Sequence, residues 1–160
     1  YYRGSEPDVL NRVYSSHKEF GSDIVVELTG DCPLVDPKLI DLSILNYLHN
    51  DYDYVSTSQE KTYPVGQDIQ VFSFELLEFL NNNALTQSDR EHVTPHIYSN
   101  PDKFKIFNVP AKKSQLHPEI WITLDTQEDF NLIKKIFEEL YPKNNTFGLD
   151  EILNFYFENK

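Results

Sequence analysis

Apolar positions recur along the chain with two periods. A period near 3.6 predicts helices on Val9, Leu10, Val13 and Tyr14, and on Leu39, Ile40, Ile44, Leu45 and Leu48. The same spacing returns in Phe130, Ile133, Ile136, Phe137 and Leu140, and in a closing stretch from Leu149 to Phe157. Between these lie short runs with no helical period. Ile24–Leu28 and Ile120–Leu124 have the composition of strands buried on both faces, and Tyr52–Thr57 and Lys103–Val109 read as further strands. In Asp68–Phe72, Ile69 and Val71 alternate with polar neighbours, which predicts a strand with one wet face and an antiparallel partner.

Capping residues set the boundaries. Ser5-Glu6-Pro7-Asp8 predicts a helix capped by Ser5, ending near Phe20-Gly21. Asp36-Pro37 opens a helix that runs to about His49. Ser73 caps a short helix to about Leu80, ended by Asn81-Asn82-Asn83. Ser88 with Glu91 makes a capping box, after which Pro95 kinks the helix or restarts it beyond Thr94. Thr126 and Asp129 open the last strong helix, and Phe147-Gly148 marks a turn. Strands alternating with helices predict one three-layer αβα, Rossmann-like domain with a mostly parallel mixed sheet. The length of 160 residues fits a single domain, and no internal repeat, low-complexity tract or domain boundary breaks it.

Charge narrows the partners. With 26 acidic and 14 basic residues the net charge is −12, which argues against a general nucleic-acid or membrane surface. An anionic nucleotide would need a metal ion or a local basic patch here. Cys32 is the sole cysteine, so no internal disulfide forms, and a reducing, cytoplasmic setting is expected. No apolar run is long enough to cross a membrane as a helix. The chain contains no methionine and begins at Tyr1, from which a fragment of a longer domain is expected.

Candidate chemistry gathers where predicted strands end. Asp31 follows Ile24–Leu28 on the loop Thr29-Gly30-Asp31-Cys32-Pro33, and Asp125 follows Ile120–Leu124. Ligands of open α/β sheets collect at such ends, and two carboxylates there suit a hard cation such as Mg²⁺. A bland reading stays open, with Asp31 in a turn and Asp125 as a helix N-cap. Three arginines, Arg3, Arg12 and Arg90, are the groups able to grip phosphate or carboxylate with paired hydrogen bonds. Asp51-Tyr52-Asp53 and the His92/His96 pair are set aside. The first precedes a strand instead of following one, and Pro95 interrupts the second. Cys32 reads as a small pocket residue and not as a nucleophile.

Six collinear strings, RGSEPDVLNR, VVELTGDCPLVDP, DYVST, YPVGQDIQVFS, REHVTPHIY and WITLDTQED, resemble the spore coat polysaccharide biosynthesis protein F family of cytidylyltransferases. That family is similar to the 3-deoxy-manno-octulosonate and acylneuraminate cytidylyltransferases. The resemblance implies a nucleotidyltransferase domain whose opening strand and Gly-rich, basic nucleotide loop would precede Tyr1. It implies transfer of CMP from CTP to a sugar or sugar acid for polysaccharide or surface glycan synthesis, with Mg²⁺ held by Asp31 and Asp125. It also implies nucleotide contacts from Arg3, Gly4, Ser5, Gly30 and Asp31. Acceptor-sugar contacts would come from Asp68, Arg90, Glu91 and His92, and a homodimer would form through the ribbon near Tyr63–Phe72. Two other readings compete: a glycosyltransferase that consumes nucleotide sugars on a similar fold, and a non-catalytic binding or dimerisation fragment.

Overall fold

The structure, a computed structural model, describes residues 1–83 and 86–159. Four strands, β1 (Ile24–Leu28), β2 (Tyr54–Ser56), β3 (Ile69–Ser73) and β4 (Ile106–Asn108), form one sheet in the order β1-β3-β2-β4. β3 runs antiparallel to β1 and to β2, while β2 and β4 are parallel. Three strands thus share a direction, and β3 is inserted between two of them in reverse. The sheet is mixed, as expected, but most of its hydrogen-bonded pairs are antiparallel. With β1 and β2 occupying both its edges, β3 has none to offer a second chain. Within the 63–72 ribbon only the turn before β3 lies outside the sheet.

Helices cover both faces. α1 (Val9–Phe20), α3 (Phe74–Asn83), α4 (Gln87–His92) and α5 (Pro95–Tyr98) lie on one side. Their core holds Leu10, Val25, Tyr54, Phe72, Leu77, Leu80, Val93 and Ile97. α2 (Pro37–His49), α6 (Gln127–Leu140) and α7 (Leu149–Glu158) close the other side over Val55, Ile69, Val71, Ile133, Ile136 and Ile152. Alternate residues of β3 therefore feed opposite cores, as the two-residue period of a strand requires.

Local chemistry explains most boundaries and several differences from expectation. α1 starts at Val9 because Asp8, not Ser5, is its cap: the Asp8 carboxylate accepts from Asn11 N at 3.0 Å, while Ser5 Oγ accepts from Asp8 N one turn earlier. The capping box of α4 is Thr86 with Asp89, two positions before the expected Ser88 and Glu91. Pro95 restarts the chain as α5, and between the helices Val93 is held at φ 67°. α2 buries a narrower face than its leucines suggest. Leu39 and Ser43 are buried, with Ile40, Ile44 and Tyr47 packed beside them, but Leu45 and Leu48 point outward. The buried Asp36 joins distant parts of the chain, accepting from Lys38 N and from Leu149 N, both at 2.8 Å, and so capping α2 and the start of α7 together.

Ile120–Leu124 is not a strand of the sheet. It is an extended segment hooked to the preceding turn through Val65 N to Ile120 O and Ile122 N to Val65 O, both 2.9 Å. Ile120 and Ile122 face the core, whereas Trp121 is 64% exposed, so one face is buried and not two. Gly66 makes the hook possible. Its φ of +107° is one that side-chain-bearing residues rarely adopt, and a Cβ there would lie 3.1 Å from the Ile122 carbonyl.

Candidate functional site

The sheet end where β1 stops and β3 begins opens into a cavity of about 650 Å³. Its lining draws on β1 (Glu27), the loop after it (Thr29, Asp31, Cys32), the approach to β3 (Asp68) and β3 itself (Gln70). The α4–α5 junction adds Glu91, His92 and Thr94, and the hooked segment adds Trp121, Thr123 and Asp125. Leu124 N donates to Asp31 O at 2.8 Å, so the loops bearing Asp31 and Asp125 are joined through their main chains. Both carboxylates then line one cavity although 94 residues separate them in sequence. Asp125 Oδ2 accepts from Thr123 Oγ1 at 2.7 Å, which orients that carboxyl.

Of the acceptor-side candidates, Asp68, Glu91 and His92 line this cavity. Arg90 does not. Its guanidinium donates to Asn81 O at 2.8 Å and Asn81 Oδ1 at 3.1 Å and lies 3.7 Å from the Asp8 carboxylate, tying α4 to α3 and α1. It is therefore occupied in holding helices together, and the expected carboxylate grip is not placed at the site. Arg3, Gly4 and Ser5 also lie outside the lining. They belong to the segment before α1, where Arg3 sits over the Tyr1 ring and the Arg12 side chain donates to Ser5 O and packs on Gly4. Gly30 is not in the lining, but a Cβ at Gly30 would meet nothing within 4 Å, so the loop is open to approach from outside.

Of the set-aside motifs, Asp51-Tyr52-Asp53 and His96 stay apart from the cavity, while His92 lines it. Asp51 pairs with Lys105, and Asp53 accepts from Lys105 N at 2.7 Å, fastening the start of β2 to β4. His96 makes edge contacts with Phe79 and Phe104, away from His92. Burial pushes the Cys32 thiol up to about 11, with the nearby Asp31 and Asp68 carboxylates adding to the rise against a bond to Thr29. A thiol held protonated in this way is a poor nucleophile.

Glu27 and Gln70 are among the lining residues that the sequence reading missed. They are directly paired across β1 and β3, so their side chains rise from the same face of the sheet. Burial raises the Glu27 carboxyl to about 7, and its Oε2 is shut off from solvent with no hydrogen-bond partner among the described residues. A lone carboxylate within the apolar run Ile24–Leu28 was the available signal. The wet face predicted for β3 is this cavity wall.

An α/β domain with carboxylates gathered around a cavity at one end of its sheet is of the class that binds its ligand at such a sheet end. The family model for cytidylyltransferases matches residues 1–159, and the chain belongs to that family. It is 39% identical over 160 residues to an uncharacterized protein of Methanocaldococcus jannaschii, covering 99% of this chain and 63% of that one. It is 30% identical over 141 residues to the spore coat polysaccharide biosynthesis protein SpsF of Bacillus subtilis, covering 86% of this chain and 57% of SpsF. Among solved structures, a cytidylyltransferase from Leptospira borgpetersenii superposes with a TM-score of 0.90 at 31% identity, covering 98% of this chain and 65% of that one. The chain spans less than two thirds of the length of each of these proteins.

Proposed function

We propose that the whole protein transfers the CMP group of CTP to a sugar hydroxyl in the synthesis of a polysaccharide or surface glycan. Family membership and the likeness to SpsF support this reading. The observation that carries it is the 2.8 Å bond from Leu124 N to Asp31 O, which sets two acid-bearing loops on one cavity. In the reaction, the acceptor oxygen bonds to the α-phosphorus as the bond to the bridging oxygen breaks. Pyrophosphate leaves with that electron pair, and the hydroxyl proton passes to solvent. Positioning and charge neutralisation supply most of the rate in such transfers.

The donor set fits Mg²⁺. Two carboxylates on joined loops are the share that protein usually gives this ion, with phosphate and water completing the octahedron. When bound, the ion would neutralise charge developing on the phosphate. Asp31 and Asp125 would hold it, Thr123 would fix the Asp125 rotamer, and Asp68, Glu91 and His92 would orient the acceptor by hydrogen bonds. Pairing of two copies near the Tyr63–Phe72 ribbon, and residence in the cytoplasm, belong to the same proposal.

The test uses the full-length protein with CTP, Mg²⁺ and a panel of sugars, reading pyrophosphate release. Asp31→Ala and Asp125→Ala should each reduce turnover by roughly a hundredfold or more while circular dichroism stays unchanged. Retained turnover in both variants refutes the metal assignment. Consumption of a nucleotide sugar without pyrophosphate release would favour glycosyl transfer.

A further inference from the structure

Backbone strain gathers at the junction of α4 and α5. Among the described residues Val93 alone of the non-glycines has a positive φ, at φ 67° and ψ −55°. With Thr94 N donating to His92 O at 2.8 Å, these angles close a γ-turn of the rare hand, strained for any side chain and most of all for a β-branched one. Thr94 follows at φ −107° and ψ 2°, in the sparsely allowed bridge region, although it precedes Pro95, whose ring disfavours that side of the map. Two neighbours are thus held off their preferred backbone, and such strain persists only where the surroundings over-determine it.

They do so from both sides of the turn. Val93 N donates to Asp89 O at 3.1 Å, and the Val93 side chain is buried in the core that holds Leu10, Tyr54 and Phe72. Thr94, also buried, donates through Oγ1 to Gln70 Oε1 at 2.5 Å, an oxygen that Tyr54 OH reaches at 2.7 Å. The turn is thereby pinned to β3 and β2. With Val93 at a right-handed helical φ instead, α4 would run on into Pro95, whose ring would meet the Glu91 carbonyl. His92 and Thr94 would then stand about 200° apart round one axis, on nearly opposite faces. In the γ-turn both line the cavity, with Glu91 beside them, while Val93 is not in the lining.

We propose that Val93 is a positioning residue: its strained turn fixes the end of α4 so that His92 and Thr94 address one ligand from one wall, and it acts on that ligand through His92. On the cytidylyl-transfer reading, on which this rests for what His92 meets, that ligand is the acceptor. Loosening the turn then raises the KM for the acceptor and leaves the KM for CTP, held at Asp31 and Asp125, where it was.

The experiment uses the full-length protein. Val93→Ala and Val93→Gly both lose the buried methyls and differ in backbone freedom. Glycine is ordinarily the less stable of such a pair, but here Val93→Gly should melt at or above Val93→Ala, and melting below it overturns the strain. Thr94→Val keeps the shape, removes the pin to Gln70 and leaves Val93 in place, so it loosens the same turn by a second route. In Val93→Gly and Thr94→Val the amide at position 94 should exchange with deuterium roughly tenfold faster or more, with that of Val71 in β3 unchanged. Pyrophosphate release from CTP and Mg²⁺ is followed with 3-deoxy-manno-octulosonate, N-acetylneuraminate and D-mannose as acceptors. Both variants should raise the acceptor's KM roughly tenfold or more, with the KM for CTP within about twofold of the parent. In a His92→Ala background Val93→Gly should change the acceptor's KM by less than about twofold, because the group it acts through is gone. An equal effect with and without His92, or KM values that neither variant moves, overturns the assignment. If no acceptor turns over, cytidylyl transfer loses its support, while the melting order and the exchange at position 94 still decide for or against the strained turn.

Discussion

Replacing Gly66 with alanine should loosen the segment that carries Asp125. At φ +107° an alanine is strained whatever the surrounding space, at a cost of roughly 1–3 kcal/mol. The new methyl would also stand 3.1 Å from the Ile122 carbonyl carbon and oxygen. Those are backbone atoms, held by the Ile122 N to Val65 O bond at 2.9 Å, and they cannot swing aside as a side chain would. Overpacking of this kind adds about 1 kcal/mol or more. A total near 3 kcal/mol corresponds to a fall in Tm of roughly 6–12 °C for a domain of this size. The assay pairs thermal denaturation by circular dichroism with the fluorescence anisotropy of Trp121, which lies inside the hooked segment. Anisotropy should fall at temperatures where the global fold is intact. Gly30→Ala is the control: its φ is not in the positive region and its Cβ would meet nothing within 4 Å, so Tm should hold or rise slightly. A Gly66→Ala protein with Tm within about 2 °C of the parent and unchanged anisotropy would refute the argument.

Asp36→Ala removes the acceptor for Lys38 N and for Leu149 N at once, and should cost about 3 kcal/mol, read as a lowered denaturant midpoint with little change in slope. Glu27 ties stability to pH. Its folded carboxyl titrates near 7 against an ordinary value of 4.5, so the folded chain keeps a proton that the unfolded chain has released. Stability is therefore lost as pH rises from about 4.5 through 7, and Glu27→Gln should flatten that slope by about 2 kcal/mol, allowing for the side chain's partial exposure, in urea melts at pH 4 and pH 8. Cys32, pushed up to about 11 and buried, should react with iodoacetamide at pH 8 about two orders of magnitude more slowly than a free thiol, followed by mass spectrometry.

Much of the fold was legible because its signals are local. Asp36-Pro37 and Thr126–Asp129 announce α2 and α6 by backbone hydrogen bonds within three residues, and both helices begin where those residues place them. The start of α4 was not legible in the same way. Thr86 with Asp89 and Ser88 with Glu91 both have capping spacing, and tertiary packing chose the first, burying Asp89 and turning Glu91 to the cavity. For Ile120–Leu124 the composition was that of a strand, but its backbone bonds go to Val65 and Asp31 instead of a neighbouring strand. The meeting of Asp31 and Asp125 was expected from two strand ends, whereas the structure achieves it with one, β1, and a hooked segment tied to its loop by Leu124 N to Asp31 O. The place of Arg90 could not be read, because nothing in REHVTPHIY discloses that Asn81 and Asp8 stand within its reach. Nor could the pairing of Glu27 with Gln70, which depends on strand order and register across 43 residues of chain.

The reversal of β3 has a further consequence. A strand that runs against its neighbours starts where they finish, so Asp68, one residue ahead of β3, arrives at the rim that Asp31 reaches on leaving β1. The same incoming turn carries Val65, the post to which the Asp125 segment is moored. A single short stretch thus governs the spacing of three acids drawn from three regions of the chain. Lengthening it by one residue would shift two of them together relative to the third, retuning the cavity without disturbing either core.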